Sequence, residues 1–240
     1  MTTRLSVNIN KIALIRNSRG ANYPDLVQVA QDCERFGAEG ITIHPRPDER
    51  HARLSDVAAL KAVVKTELNI EGKPSEAFLR EVLRCKPHQC TLVPDADNAL
   101  TSDSGWDTVR YQSYLSDIVK ELHAAGIRVS IFLNPEPHLV ESAARTGTDR
   151  IELYTGNYAA QFAQDPAKAI APFVATAKEA AVCGLGLNAG HDLNLLNLAY
   201  FRRAIPNLLE VSIGHALVCD ALYMGLSNTI QQYLGCLREY

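Results

Sequence analysis

Along this chain, short runs rich in β-branched residues alternate with longer stretches in which apolar residues recur every three to four positions. A period of two places alternate side chains on opposite faces of a strand, whereas a period of 3.6 gathers them on one face of a helix. The strand-like runs fall at residues 5–10, 40–45, 68–72, 89–94, 128–134, 150–155, 185–190 and 208–215. Helical stretches lie between and after them: YPDLVQVAQDCERFG, LSDVAALKAVVKT, SEAFLREVLRC, YLSDIVKELHAAG, EPHLVESAARTG, PAKAIAPFVATAKEAAVCG and ALYMGLSNTIQQYLGCLREY. Gly37, Gly126, Gly147 and Gly184 each follow a helical run and precede a strand, where a left-handed cap ends a helix at least cost.

Eight βα alternations in 240 residues, uninterrupted by a charge run, a low-complexity tract or a long linker, predict one catalytic domain over residues 1–240. The expected architecture is a closed parallel (β/α)8 barrel. An open doubly wound sheet commonly carries a glycine-rich phosphate loop after its first strand, and VNINKIALIRNSRG contains no GxGxxG.

A formal net charge of -3 argues against a nucleic-acid or membrane-surface partner, either of which selects for a basic face. No stretch reaches the roughly 18 apolar residues that cross a bilayer, and MTTRLSVNIN lacks the apolar centre of a signal peptide, so the cytoplasm is the expected compartment. The six cysteines form no CxxC pair and sit mostly among apolar neighbours, so they are expected to be reduced and mostly buried.

In a (β/α)8 barrel the loops after the strands build the active face. Titratable and amide side chains gather at those ends: Asn8 and Asn10 on strand one, His44 and Arg46 on strand two, Glu71 on strand three. Glu152 and Tyr154 follow on strand six, Asn188 and His191 on strand seven, and Gly214 and His215 on strand eight. Any one of these is more simply a polar cap. Three of the seven histidines and two carboxylates aimed at one mouth, however, supply several proton donors and acceptors. His88, His123 and His138 lie on or beside helices and read as structural.

HPRPDERHARLSD brings together Arg46, Arg50, His51 and Arg53, and the loop after strand one adds Arg16 and Arg19. Guanidinium groups make paired, charge-assisted hydrogen bonds to phosphate oxygens. At the other side of the mouth, NAGHDL and SIGHAL set a glycine before a histidine where a strand turns into a helix, a place suited to an anion. Two anion sites on one mouth suggest two phosphorylated substrates being joined. A metal centre is disfavoured by the lack of HxH or HExxH spacing. No cofactor is implied, and a Schiff-base lysine has weak support, with only Lys11 and Lys73 near strand ends.

VNINKIALIRNSRG, GITIHPRPDERH, NIEG, LVPD, IELYTGNYA, NAGHDL and SIGHAL, in that order, resemble the pyridoxine 5'-phosphate synthase family over nearly the whole chain. The resemblance implies a (β/α)8 barrel with additional helices, assembled in the cytoplasm as an octamer from dimers. It implies a transferase that condenses 1-deoxy-D-xylulose 5-phosphate with 3-amino-2-oxopropyl phosphate, with loss of phosphate and water. The substrate amine itself would form the imine, so no catalytic lysine is needed. By motif, His44 and Glu71 become general acid–base residues, His191 a proton donor, and Glu152 a transition-state stabiliser, expected to act through negative charge. Arg46, His51 and Thr101, with Ser102 as the adjacent alternative, would hold the deoxyxylulose phosphate; Asn8, Arg19, His191, Gly214 and His215 would hold the aminoketone phosphate. The family's commoner first motif reads Asn-Ile-Asp-His. Here Asn10 and Lys11 replace the acid and the imidazole at the positions expected to contact deoxyxylulose phosphate.

Overall fold

The computed structural model describes residues 2–95 and 102–238. Eight parallel strands close into a barrel in chain order: β1(Arg4–Asn8), β2(Gly40–Ile43), β3(Glu67–Gly72), β4(Gln89–Leu92), β5(Arg128–Leu133), β6(Arg150–Tyr154), β7(Gly186–His191) and β8(Leu208–Ile213). β8 pairs back onto β1 through Arg4 with Glu210 and Ser6 with Ser212, which completes the ring.

The strands carry two kinds of side chain in alternation, with Phe132 an apolar exception at an inward position. Leu5, Val7, Ile41, Ile43, Leu68, Ile70, Val129, Ile131, Ile151, Leu153, Val211 and Ile213 are buried and form the main hydrophobic core with the surrounding helices. The intervening positions, Ser6, Thr42, Asn69, Thr91, Ser130, Glu152, Asn188, Glu210 and Ser212, are polar and equally buried. A two-residue period sends this second set into the barrel interior. Ser6 and Thr42 hydroxyls meet at 2.7 Å, Asn69 Nδ2 donates to Thr42 at 3.4 Å, and Thr91 donates to Asn69 Oδ1 at 3.1 Å, so one polar chain runs across four strands. Toward the N-terminal ends of the strands, Arg4 and Arg128 pair with Glu67, and Arg150 pairs with Glu210.

The outer layer among the described residues consists of α1(Asn10–Asn17), α2(Leu26–Arg35), α3(Leu54–Val63), α4(Glu76–Cys85), α5(Gln112–Ala124), α6(Val140–Arg145), α7(Gly156–Phe162), α8(Pro166–Val182), α9(Leu198–Ala204), α10(His215–Met224) and α11(Leu226–Leu237). Asp25, Ser75 and Asp165 cap α2, α4 and α8 by accepting backbone N–H groups of the first turn. Gly37, Gly126, Gly147 and Gly184 all have positive φ, as the helix-to-strand returns require.

Four features depart from the sequence reading. Strands one, two, four and eight each end two residues early; at the end of β1 the Asn8 side chain accepts the Asn10 N–H at 3.1 Å and turns the chain into α1. α1, α7 and α9 occupy stretches without an expected helix. The final apolar run is two helices rather than one, broken at Gly225 with φ 74°. All six cysteines are free, but only Cys33 and Cys90 are fully buried and the other four are half-buried. No helix among the described residues is long and apolar enough to cross a membrane.

Arg16, expected to face an anion, is instead among the most deeply buried side chains, with both terminal nitrogens on the Asp56 carboxylate at 2.7 and 2.9 Å. Asp56 also accepts the Arg53 N–H, so a single carboxylate ties α1 to the start of α3. Removing one partner of a buried pair leaves the other charge uncompensated. Arg16→Ala should therefore lower the unfolding free energy by about 3 kcal/mol, read as a lower urea midpoint at unchanged slope. An unchanged midpoint would show that α1 is held by its apolar contacts alone.

Candidate active site

At the C-terminal ends of the strands the barrel opens into a cavity of about 360 Å³. His44, Glu71, Glu152 and His191 all line it, brought together from β6, β7, the end of β3 and the residue after β2. Asn8, Asn10, Lys11, Arg46, His51, Gly214 and His215 line it as well. Eleven of the thirteen anticipated residues thus converge on one space. Of the other two, Thr101 lies outside the described residues, and Arg19 is exposed just beyond α1 and does not line the cavity.

At the centre, His44 Nδ1 lies 3.8 Å from Glu71 Oε2, and His44 Nε2 lies 3.9 Å from Asp95 Oδ2. Burial, reinforced by the positive charge of Arg46, holds the His44 imidazole well below its ordinary pKa, so the ring is neutral and able to take a proton. Burial, reinforced by the negative charge of Asp95, pushes the Glu71 carboxyl up to about 8, so it carries a proton near neutrality. An acid and a base whose pKa values are displaced in opposite directions therefore stand side by side.

Arg46 and Asp95 organise this pair. They form a buried ion pair at 2.9 Å, and Ser102 donates its hydroxyl to Asp95 at 2.7 Å. Asn10 accepts the backbone N–H of His44 at 3.0 Å, which ties the start of α1 to the end of β2. The amide thus has a positioning contact irrespective of any contact to a ligand.

Glu152 is buried beneath the cavity. Desolvation and the neighbouring Glu71 raise its pKa well above the ordinary carboxylate value. Burial and the neighbouring Glu71 thus favour the neutral acid over the negative charge anticipated for it. One of its oxygens has no hydrogen-bond partner among the described residues. The other sits where a Cβ on Gly190 would lie only 2.7 Å away, so glycine at this position makes room for the acid.

The rim is cationic and amide-rich. Lys11 and Arg46 flank His51, whose pKa is lowered to about 4 by burial, Lys11 and nearby arginines, which leaves a neutral ring. Gly214 precedes the first turn of α10, whose N–H groups have no partner within the helix. A Cβ on Gly214 would lie 3.1 Å from Asn8, so glycine lets the ends of β1 and β8 close up. The remaining basic residues of HPRPDERHARLSD have local work: Arg50 pairs with Asp48 at 2.5 Å, and Arg53 precedes α3. Among the residues read as structural, His88 accepts the Leu68 N–H at 3.0 Å and His123 meets Asp149 at 2.8 Å.

Asp95, Asp192, Ser212 and Phe132 belong to the site but went unassigned in the sequence. Asp95 lies in the motif LVPD at the end of β4, a place where its charge alone was a usable signal. Asp192, adjacent to His191, was another. Among the described residues no group of three or more histidine, cysteine or carboxylate side chains is arranged to hold a metal ion.

Fold and mouth together define a (β/α)8-barrel enzyme with titratable side chains gathered at the strand ends. The chain belongs to the family described as pyridoxal phosphate biosynthesis protein PdxJ, whose model matches residues 5–239. It is 58% identical over 236 residues to pyridoxine 5'-phosphate synthase of Bacteroides fragilis, covering 98% of this chain and 100% of that protein. It is 60% identical over 237 residues to the protein of the same name from Cytophaga hutchinsonii, covering 99% and 100%. Among solved structures it resembles phosphoribosyl anthranilate isomerase from Thermococcus kodakaraensis, with TM-score 0.64 and 12% identity over 99% of this chain and 100% of that one. A tryptophan synthase structure from M. tuberculosis aligns with TM-score 0.65 and 12% identity over 99% and 94%. At such identities the likeness concerns the barrel alone.

The displaced Glu71 pKa has a consequence for stability. Between its ordinary value of 4.5 and about 8, the folded chain keeps a proton that the unfolded chain has lost, so this group makes stability fall as pH rises. Glu71→Gln cannot ionise. Its urea midpoint relative to the native chain should climb across that window and level off above it. A pH-independent difference would show that Glu71 titrates normally.

Proposed function

We propose that the chain is a pyridoxine 5'-phosphate synthase that joins 1-deoxy-D-xylulose 5-phosphate to 3-amino-2-oxopropyl phosphate, releasing phosphate and water. The observation that carries the reading is the His44–Glu71 pair, neutral base beside neutral acid at 3.8 Å, in a barrel of this family.

The condensation begins when the amine of one substrate adds to the ketone of the other and water leaves to form the imine. Each step moves a proton to or from carbon, nitrogen or oxygen, so more than one donor and acceptor is needed. Glu71 gives a proton to the departing oxygen, and His44, unprotonated, accepts protons released at nitrogen or carbon. His191 supplies a further proton. Glu152, held neutral, donates a hydrogen bond to oxygen as negative charge develops there.

The rim takes the phosphates. Arg46, His51 and Lys11, with Ser102 beside Arg46, suit the deoxyxylulose phosphate. Asn8, Gly214, His215 and the open N–H groups of α10 suit the aminoketone phosphate. Lys11 replaces an imidazole with a permanent cation and so keeps the rim attractive to phosphate. Arg19 is given no role, because within one chain it stands away from the cavity.

We place this chain in the cytoplasm as an octamer built from dimers. Exposed Leu14 and Ile15 on α1, and Leu222 and Tyr223 on α10, supply apolar area of the kind that association covers. Light scattering should give eight chain masses; a monomer mass would refute the assembly.

A coupled assay with both substrates, following pyridoxine 5'-phosphate and released phosphate, tests the reaction. The native chain should form product. Glu71→Gln should lower kcat by about 10²- to 10⁴-fold, the range for loss of a general acid–base group. Absence of product from folded native protein would overturn the assignment.

A further inference from the structure

His191 is the last residue of β7 and the only histidine among the described residues with positive φ, at 95°. A non-glycine side chain reaches that conformation only when its surroundings impose it. Here the constraint is visible on both sides. The buried Thr155 hydroxyl donates to the Gly190 carbonyl at 2.6 Å and accepts the Asp192 N–H at 3.2 Å, clamping the residues that flank His191. The imidazole itself packs edge-on against Tyr154, with ring centroids 5.4 Å apart, and leans on Phe132 at 6.5 Å.

The strained backbone also points the next side chain back at the ring. Asp192 Oδ2 lies 3.0 Å from His191 Nδ1, and both residues line the cavity. We infer that Asp192 is a positioning residue for the reaction, fixing the His191 imidazole in the tautomer that carries its proton on Nδ1. A carboxylate can only accept, so the ring must meet it with Nδ1–H; as a donor the ring carries protons on both nitrogens, gives the one on Nε2 to the ligand, and is left as the neutral Nδ1–H tautomer that Asp192 holds. The hydrogen bond from His191 is also the main reason the Asp192 carboxyl titrates below its ordinary value, which keeps it an acceptor near neutrality.

The inference rests on the proposed role of His191 as proton donor, and the test separates the two. Asparagine at position 192 can turn its NH₂ toward Nδ1, which selects the opposite tautomer while keeping size and fold. In Asp192→Asn, kcat should fall at least about tenfold, as happens when a histidine loses its orienting carboxylate. KM for each substrate should stay within about twofold, and the urea midpoint should not move. Nitrogen-15 spectra of the unliganded protein, with the His191 signal assigned by its loss in His191→Asn, should show Nδ1–H in the native neutral ring and a shift toward Nε2–H in Asp192→Asn.

An unchanged tautomer pattern with unchanged kcat in Asp192→Asn, while His191→Asn is inactive, would overturn the positioning role and leave the donor role standing. A loss carried by KM or by a lower urea midpoint, with native tautomer, would reduce Asp192 to a structural contact. Full activity in His191→Asn would overturn the donor role and this inference with it.

Discussion

Closing the parallel strands into a ring strands every inward side chain in a space reached only through the two ends of the barrel. The ring therefore has to satisfy its own interior, because a polar group taken out of water costs free energy unless it finds a partner. Serine, threonine and asparagine do this across β1 to β4 by bonding to one another. The acids fare less well: Glu71, Glu152 and Glu210 all have their pKa values raised, and in each case burial is the largest cause. Stability has to come from elsewhere. It comes from the other half of each strand, where branched apolar residues face outward into the core shared with the helices.

The same desolvation acts on His44 with the opposite sign, since its charged form is the protonated one. One environment thus yields a neutral acid and a neutral base without needing a separate device for each. Arg46 reinforces the effect on the base by electrostatic repulsion, while Asp95 reinforces that on the acid, and the two neutralise each other as an ion pair. The site is consequently graded. Its floor is uncharged and suited to moving protons, whereas its rim carries the cation of Lys11, the charge of Arg46 being offset by Asp95. Phosphate charge held at the rim would weigh on the floor as well, raising the affinity of both groups for protons when substrates are bound.

Strand positions were legible because their chemistry is local: the β-branched alternation and the capping glycines act within a few residues of where they stand. The strand-end histidines and glutamates were legible for a related reason, since parallel connectivity sends all C-terminal ends to one mouth. Pairings distant in sequence were not. Arg16 and Arg46 look alike as arginines in loops after strands, yet one is consumed by Asp56 and the other faces the cavity. Nothing in the local sequence says where Asp56 will lie once α1 and α3 are packed. The charge state of Glu152 was hidden likewise, because it depends on how deeply the side chain is buried and on Glu71 being near.

The glycines of NAGH and SIGH show how a correct signal can carry a different cause. Glycine before a strand-end histidine suggests a backbone that a ligand approaches closely. Gly190 and Gly214 do line up with the mouth, but the atoms that would collide with a side chain at either position belong to the protein: Ser212 and Glu152 in one case, Asn8 in the other. The space is needed to seat the interior acid and to draw neighbouring strand ends together. A methyl group at position 190 would press on the Ser212 carbonyl at 2.6 Å as well as on the Glu152 carboxyl, and backbone on the facing strand cannot swing aside as a flexible side chain can. Gly190 thus serves the site by shaping its walls, one step removed from the ligand that the sequence pattern brings to mind, whereas Gly214 closes up the strand ends and also lines the cavity itself.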